Sequence, residues 1–147
     1  MNKIIIFATA LFALFVFSGL SLAAGPKTIV GVWSFIEPDG PNKGKEASQM
    51  EIYEKGGGFE GKYIKRNDYL DPKCTECKDE RKGKPVVGMV FVWDVKKTDD
   101  NEYKGKVYDV VKGREARCEL SLDGPDKLKQ RACIAFLCKN FNWVRVK

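Results

Sequence analysis

The sequence predicts an all-β domain, an eight-stranded antiparallel up-and-down barrel, and three observations carry that expectation. Short segments of alternating apolar and polar residues are punctuated by Gly, Asn, Asp and Pro, which is how successive hairpins are written. All but one of the connections are short, and no internal repeat, low-complexity tract or long amphipathic helix interrupts the series. An open sheet of that many strands would leave two exposed edges and an uncovered apolar face, and closure removes both. The rival architectures, a five-stranded nucleic-acid-binding barrel and a sandwich, require fewer strands and a long crossover that the chain lacks.

The elements follow in order. Lys3 and the apolar run Ile4 to Phe17 have the layout of an export signal, because the run is shorter than the roughly 18 to 20 residues that span a bilayer core. Ser21-Leu22-Ala23 offers small residues where a signal peptidase cuts, so residues 1–23 read as a cleavable signal peptide and the domain as 24–147. No cysteine follows the run to accept a lipid, and no stable membrane insertion is expected after cleavage. The first strand, Thr28 to Ile36, carries Ile29, Gly31, Trp33 and Phe35 on one face, and Pro38-Asp39-Gly40-Pro41-Asn42 ends it. Ser48 to Glu54 places Met50 and Ile52 inward, Gly56-Gly57-Gly58 turns the chain, and Phe59 to Arg66 follows with Phe59, Gly61 and Tyr63 alternating.

Asn67 to Lys84 is the one long, charged loop and contains Cys74-Thr75-Glu76-Cys77. Pro85 to Val95 is the most apolar strand, with Val87, Met89, Phe91 and Trp93 on one face and Val86, Gly88, Val90 and Val92 on the other, a pattern that predicts cover on both sides. Asn101 to Val110, Glu115 to Leu122, Leu128 to Phe136 and Phe141 to Val146 complete the set.

Composition then narrows the function. At 147 residues a single domain is expected, and the absence of histidine excludes Ser-His-Asp and Cys-His nucleophile sites, His-ligated zinc and an imidazole base. The net charge of +6 comes from lysines and arginines scattered along every segment, which reads as a solvated exterior and gives no nucleic-acid footprint. Carboxylates such as Glu51, Asp94 and Asp109 have no catalytic spacing, so neither a catalytic residue, a cofactor nor a metal site is assigned.

An exported chain meets an oxidising compartment, periplasmic or extracellular, where its five cysteines tend to pair. Cys74 and Cys77 read as a small disulfide pinning the long loop. A redox pair would want a helix N-terminus in a βαβ unit, and nearby Glu76, Asp79 and Glu80 disfavour a thiolate. A four-cysteine zinc site would need two of Cys118, Cys133 and Cys138 to join them. Pairing Leu122 with Leu128 across Asp123-Gly124-Pro125-Asp126-Lys127 sets Cys118 opposite Ala132 and turns Cys133 to the other face. Strand parity therefore favours Cys133 with Cys138 and leaves Cys118 as a small buried hydrophobe.

Gly31-Val32-Trp33 on the first strand and Trp143-Val144-Arg145 on the last resemble lipocalin-like barrels, where a Gly-x-Trp closes the floor and an arginine lies over the indole. Such stacking gains about 0.5 to 2 kcal/mol while the arginine stem covers apolar surface. The whole domain resembles the exported bacterial proteins grouped as domain of unknown function 2147. The shared residues are Gly31-Val32-Trp33, Glu51-Ile52-Tyr53-Glu54, Asp71-Pro72 ahead of Cys74-Thr75-Glu76-Cys77, Lys82-Gly83-Lys84-Pro85-Val86-Val87-Gly88, and Trp143-Val144-Arg145-Val146. The chain departs from the family pattern at Asp109 to Ala116, which lacks the family's proline and tyrosine. The resemblance implies a short lipocalin-type barrel, with Gly31, Trp33 and Arg145 closing one end.

Two functional expectations follow. In the first, Phe35, Phe59, Tyr63, Phe91 and Trp93 line a barrel interior that takes a small apolar or amphipathic ligand, the alternative for the same residues being a barrel filled solid by their side chains; the lipocalin resemblance tilts the choice toward a cavity. In the second, the basic surface and the Cys74 to Cys77 loop, with Lys78, Arg81, Lys82 and Lys84, engage an envelope protein partner and no ligand is held.

Overall fold

The computed structural model describes residues 27–147, so the expected signal peptide and its cleavage position lie outside the described residues. Eight strands run in chain order: β1 (Gly31–Ile36), β2 (Glu46–Lys55), β3 (Gly58–Arg66), β4 (Val90–Asp99), β5 (Glu102–Asp109), β6 (Arg114–Leu122), β7 (Lys127–Ile134) and β8 (Leu137–Arg145). Each pairs antiparallel with the next, and β1 pairs with β8, so the sheet closes. Among the described residues there is no helix.

Closure divides the molecule into two ends. The β2–β3, β4–β5 and β6–β7 turns lie at one end with the start of β1 and the finish of β8. The loops 37–45 and 67–89 and the turns 110–113 and 135–136 lie at the other. The first end is sealed. Ile29, Trp33, Met50, Ile52, Val95, Tyr103, Leu120 and Leu128 are buried there and packed as one core. The Trp33 indole donates to the Ile29 carbonyl at 2.8 Å, which ties the incoming chain across the barrel floor.

The β6–β7 register is the expected one, with Leu122 opposite Leu128 and Cys118 opposite Ala132. Strand β4 differs from expectation. It begins at Val90 and not at Pro85, because residues 85–89 belong to the long loop: Val86 N donates to the Pro72 carbonyl, and Val87 is exposed. Simple alternation also fails inside β4. Gly61 pairs with Val92 and Lys62 with Val90, so Phe91 is an extra residue, and both Phe91 and Val92 are buried. A second irregularity lies between Trp93 and Lys96, where Asp94 takes a φ of 54° and Val95 turns inward. Gly105 faces this bulge, and a Cβ there would come within 2.7 Å of the Val95 side chain. Bulges of this kind re-aim side chains, and here they send Phe91 in and Trp93 out.

Candidate functional site

The open end holds a cavity of about 530 Å³, within the range of small-molecule sites. Its walls come from all around the barrel. Phe35 of β1, Tyr63 of β3, Phe91 of β4 and Phe141 and Trp143 of β8 supply aromatic faces. Val107, Ala116, Ala132 and Ile134 supply smaller side chains on β5, β6 and β7, and the room is left where those strands carry alanine. The rings are organised. Tyr63 and Phe91 stack with centroids 3.7 Å apart and 12° between planes, while Phe35 packs against Phe141 and Trp143 at 5.8 Å and 5.4 Å.

Few polar groups reach this interior. Gln130 is almost fully buried at the base, where its side-chain carbonyl accepts the Trp143 indole N–H at 2.9 Å and its amide faces the Cys118 sulfur at 3.8 Å. Ser48 is buried on β2 and lines the same space. Burial raises the Tyr63 hydroxyl well above its ordinary pKa, outweighing the opposing pull of Arg66, so it stays a neutral donor and acceptor. Burial likewise pushes the Cys118 thiol up to about 12, which makes it an unreactive apolar filler beneath the cavity. At the rim, Arg66, Lys112, Arg114 and Lys139 face Glu37, Asp39 and Asp109.

Of the five aromatic residues expected to line a ligand space, Phe35, Tyr63 and Phe91 are brought together there and two are not. Phe59 packs edge-on against Tyr103 at 5.4 Å, in the closed half. Trp93 lies on the outer face beside Lys106, because the β4 bulges reverse its parity, and the Arg81 guanidinium covers its ring at 5.2 Å. Gln130, Ser48, Ala116, Ala132, Phe141 and Trp143 were not assigned to the ligand space from sequence. Gln130 had a usable sign, a lone polar residue at inward parity between Leu128 and Ala132.

The long loop folds back on the outside of the barrel. Cys74 and Cys77 are bridged with Cα atoms 5.4 Å apart, and both are fully buried with Val86. Arg81 also covers Tyr108 at 4.4 Å, and the Tyr108 hydroxyl accepts from the Lys78 backbone N–H at 3.2 Å. Gly113, at a φ of 61°, lets the β5–β6 turn meet the Glu76 carbonyl, where no larger residue fits. Cys133 and Cys138, direct partners on β7 and β8, form the second bridge, and Cys118 is the free thiol. The cysteines thus sit as two separate bridges with no helix behind Cys74, and among the described residues no cluster of three metal-ligating side chains occurs.

At the sealed end the Arg145 guanidinium lies 4.1 Å over the Trp33 ring. It donates to the carbonyls of Val30 at 2.8 Å, Thr28 at 2.6 Å and Pro125 at 2.7 Å. A Cβ on Gly31 would fall 2.6 Å from this guanidinium. Gly31, Trp33 and Arg145 therefore form the barrel closure together.

With that closure and the barrel in view, residues 31–145 match the family described as "Uncharacterized protein conserved in bacteria (DUF2147)". The chain belongs to this family. A solved structure described as "Protein HP1028 from the human pathogen Helicobacter pylori belongs to the lipocalin family" is similar in fold, with a TM-score of 0.69 and 21% sequence identity. The likeness covers 83% of this chain and 85% of that one. No curated protein matches the chain. The DUF2147 barrel is thus a lipocalin-like one, and its cavity lies opposite the Gly31, Trp33 and Arg145 closure.

Proposed function

We propose that this barrel is a non-enzymatic carrier, exported to a periplasmic or extracellular compartment, that holds a small hydrophobic or amphipathic molecule in its open-end cavity. The observation that carries the reading is the cavity itself: about 530 Å³ walled by the rings of Phe35, Tyr63, Phe91, Phe141 and Trp143, with Gln130, Ser48 and the Tyr63 hydroxyl as the few inward polar groups. An apolar body would bury against the rings, and a polar end would meet the Tyr63 hydroxyl or the charged rim. Two disulfides fit export to an oxidising compartment.

Titration with the apolar dye N-phenyl-1-naphthylamine tests it. The dye is expected to bind with enhanced emission, and Ala132→Phe, which fills the cavity, should weaken binding by about tenfold or more, equivalent to about 1.4 kcal/mol. An Ala132→Phe protein that melts cooperatively and still binds the dye unchanged would place the dye elsewhere and remove the support for a cavity ligand.

A second reading, capture of an envelope protein through the long loop, is favoured by one observation. The loop is anchored by buried Cys74, Cys77 and Val86 while Lys78, Lys82 and Lys84 stay exposed. Arg81 is taken up by Trp93 and Tyr108, so charge reversal at the three lysines alone separates the readings. It would abolish partner capture and leave dye binding as it was.

A further inference from the structure

The turn between β7 and β8 exposes its apolar side chains to an unusual degree. Phe136 is 89% exposed and Leu137 71%, and Val111 on the neighbouring β5–β6 turn is 63% exposed. A soluble domain gains nothing from showing two adjacent large apolar residues to water. The turn is nevertheless held rigidly. The Cys133–Cys138 bridge, with Cα atoms 4.1 Å apart, closes the hairpin immediately behind it. Arg117 donates to the Ala135 carbonyl at 2.7 Å, and Ala135 itself is held at a φ of 52°. These restraints fix the presentation of Phe136 and Leu137 before any partner arrives.

Cations predominate around the turn: Glu115 shares the outer groove with Phe136 and Arg117, but it is paired with Lys106 at 3.4 Å. Lys112, Arg114, Arg117 and Lys139 are exposed on the same sector of the open end. Among the described residues none of the four is ion-paired with a carboxylate. Further from the mouth, Arg131 pairs with Glu119. Asp109 on the rim is occupied by the backbone N–H groups of Val111 and Lys112, and Glu37 and Asp39 lie across the mouth on the 37–45 loop.

We infer that this sector of the open end is a docking face for an anionic lipid bilayer. Phe136 and Leu137 enter the headgroup boundary, and Lys112, Arg114, Arg117 and Lys139 meet the lipid phosphates. Apolar side chains ringed by unpaired cations match such a surface in both polarity and charge. Two large side chains and four charges give a reversible contact, not a permanent anchor. Because Val111 and Leu137 also line the cavity mouth, docking would turn that mouth toward the membrane. The inference does not rest on a cavity ligand, since vesicle binding is read without one.

Flotation with vesicles of phosphatidylethanolamine and phosphatidylglycerol, against vesicles of phosphatidylcholine alone, tests it. The protein is taken as recovered from cells with its N-terminus mapped by intact mass, and every variant shares that terminus. Binding is expected to the anionic vesicles only and to fall steeply with salt. Phe136→Ser with Leu137→Ser, and separately Lys112→Glu with Arg114→Glu, should each lower it by about tenfold or more with an unchanged melting curve. As a second readout, Phe136→Trp should show a blue-shifted difference emission when anionic vesicles are added. The inference is overturned if the unaltered protein binds both vesicle types alike, or if binding survives both pairs of substitutions. It is equally overturned if the protein ignores the anionic vesicles. A self-association in sedimentation that Phe136→Ser with Leu137→Ser abolishes would then assign the turn to a second copy of the chain.

Discussion

Arg145 concentrates four interactions in one side chain: three backbone carbonyls from two separate segments and the face of Trp33. Desolvation by burial lowers the guanidinium pKa, but a group this basic stays charged, and its donors are satisfied by carbonyls that the barrel end would otherwise leave unpaired. Gly31 is the complement of this arrangement. Its φ of 136° and the guanidinium beside it both reject a side chain. Gly31→Ala is therefore expected to destabilise the barrel by about 1–3 kcal/mol in urea denaturation, more than the same change at Gly40, whose φ of 74° also disfavours a side chain but where nothing stands within 4 Å of an added Cβ. This closure was legible from sequence through the resemblance to lipocalin-like barrels, with Gly-x-Trp and Trp-x-Arg at opposite ends of the domain where closure of the barrel brings them together. The cavity floor was less so: Gln130 shows its role only once its bond to Trp143 is seen.

Elements differ in how far their sequences declare them. The β6–β7 register was readable to the residue, since a short turn fixes the register and the register fixes which cysteines share a face, although β7 ends at Ile134 and not at Phe136. Strand β4 was not, because a bulge changes parity without changing composition: Trp93 and Phe91 look equivalent in the sequence and end on opposite sides. The start of β4 was misplaced for a different reason: in Pro85 to Met89 Val86 is buried as the anchor of the loop while Val87 stays exposed, so an apolar run that reads as strand belongs to the loop.

At the other side of the mouth, Glu46 ties three elements. Its carboxylate accepts from Ser34 on β1 and Gln49 on β2 and pairs with Lys65 on β3 at 2.7 Å, while its carbonyl accepts from Asn67 at 2.9 Å. Burial alone would raise its pKa; the bonds from Gln49, Lys65 and Ser34 outweigh it and hold the group at about 2, against an ordinary 4.5. A lowered folded-state value means that the stabilisation is complete above about 4.5 and is lost as pH falls toward 2. The urea midpoint should therefore drop between pH 6 and pH 3, and Glu46→Gln should be less stable at pH 6 and show a smaller drop.

For the whole molecule, closure of eight strands gives two ends with different tasks. One end is packed solid around Trp33, and the other is left hollow by Ala116, Ala132 and the re-aimed Phe91. A barrel of this size has room either to fill with side chains or to hold one small molecule, and this chain does the first at its floor and the second at its mouth. The sequence could announce the barrel through alternation and short turns. It could not announce the hollow, which depends on the summed volume of inward side chains from strands far apart in the chain.

The most direct test of the carrier reading is native mass spectrometry of the protein purified from the cells that make it. The account predicts the mass of the chain with two disulfides, plus a small-molecule adduct that leaves on collisional activation and is absent from Ala132→Phe. A bare mass in repeated preparations, or an adduct that Ala132→Phe retains, would contradict it.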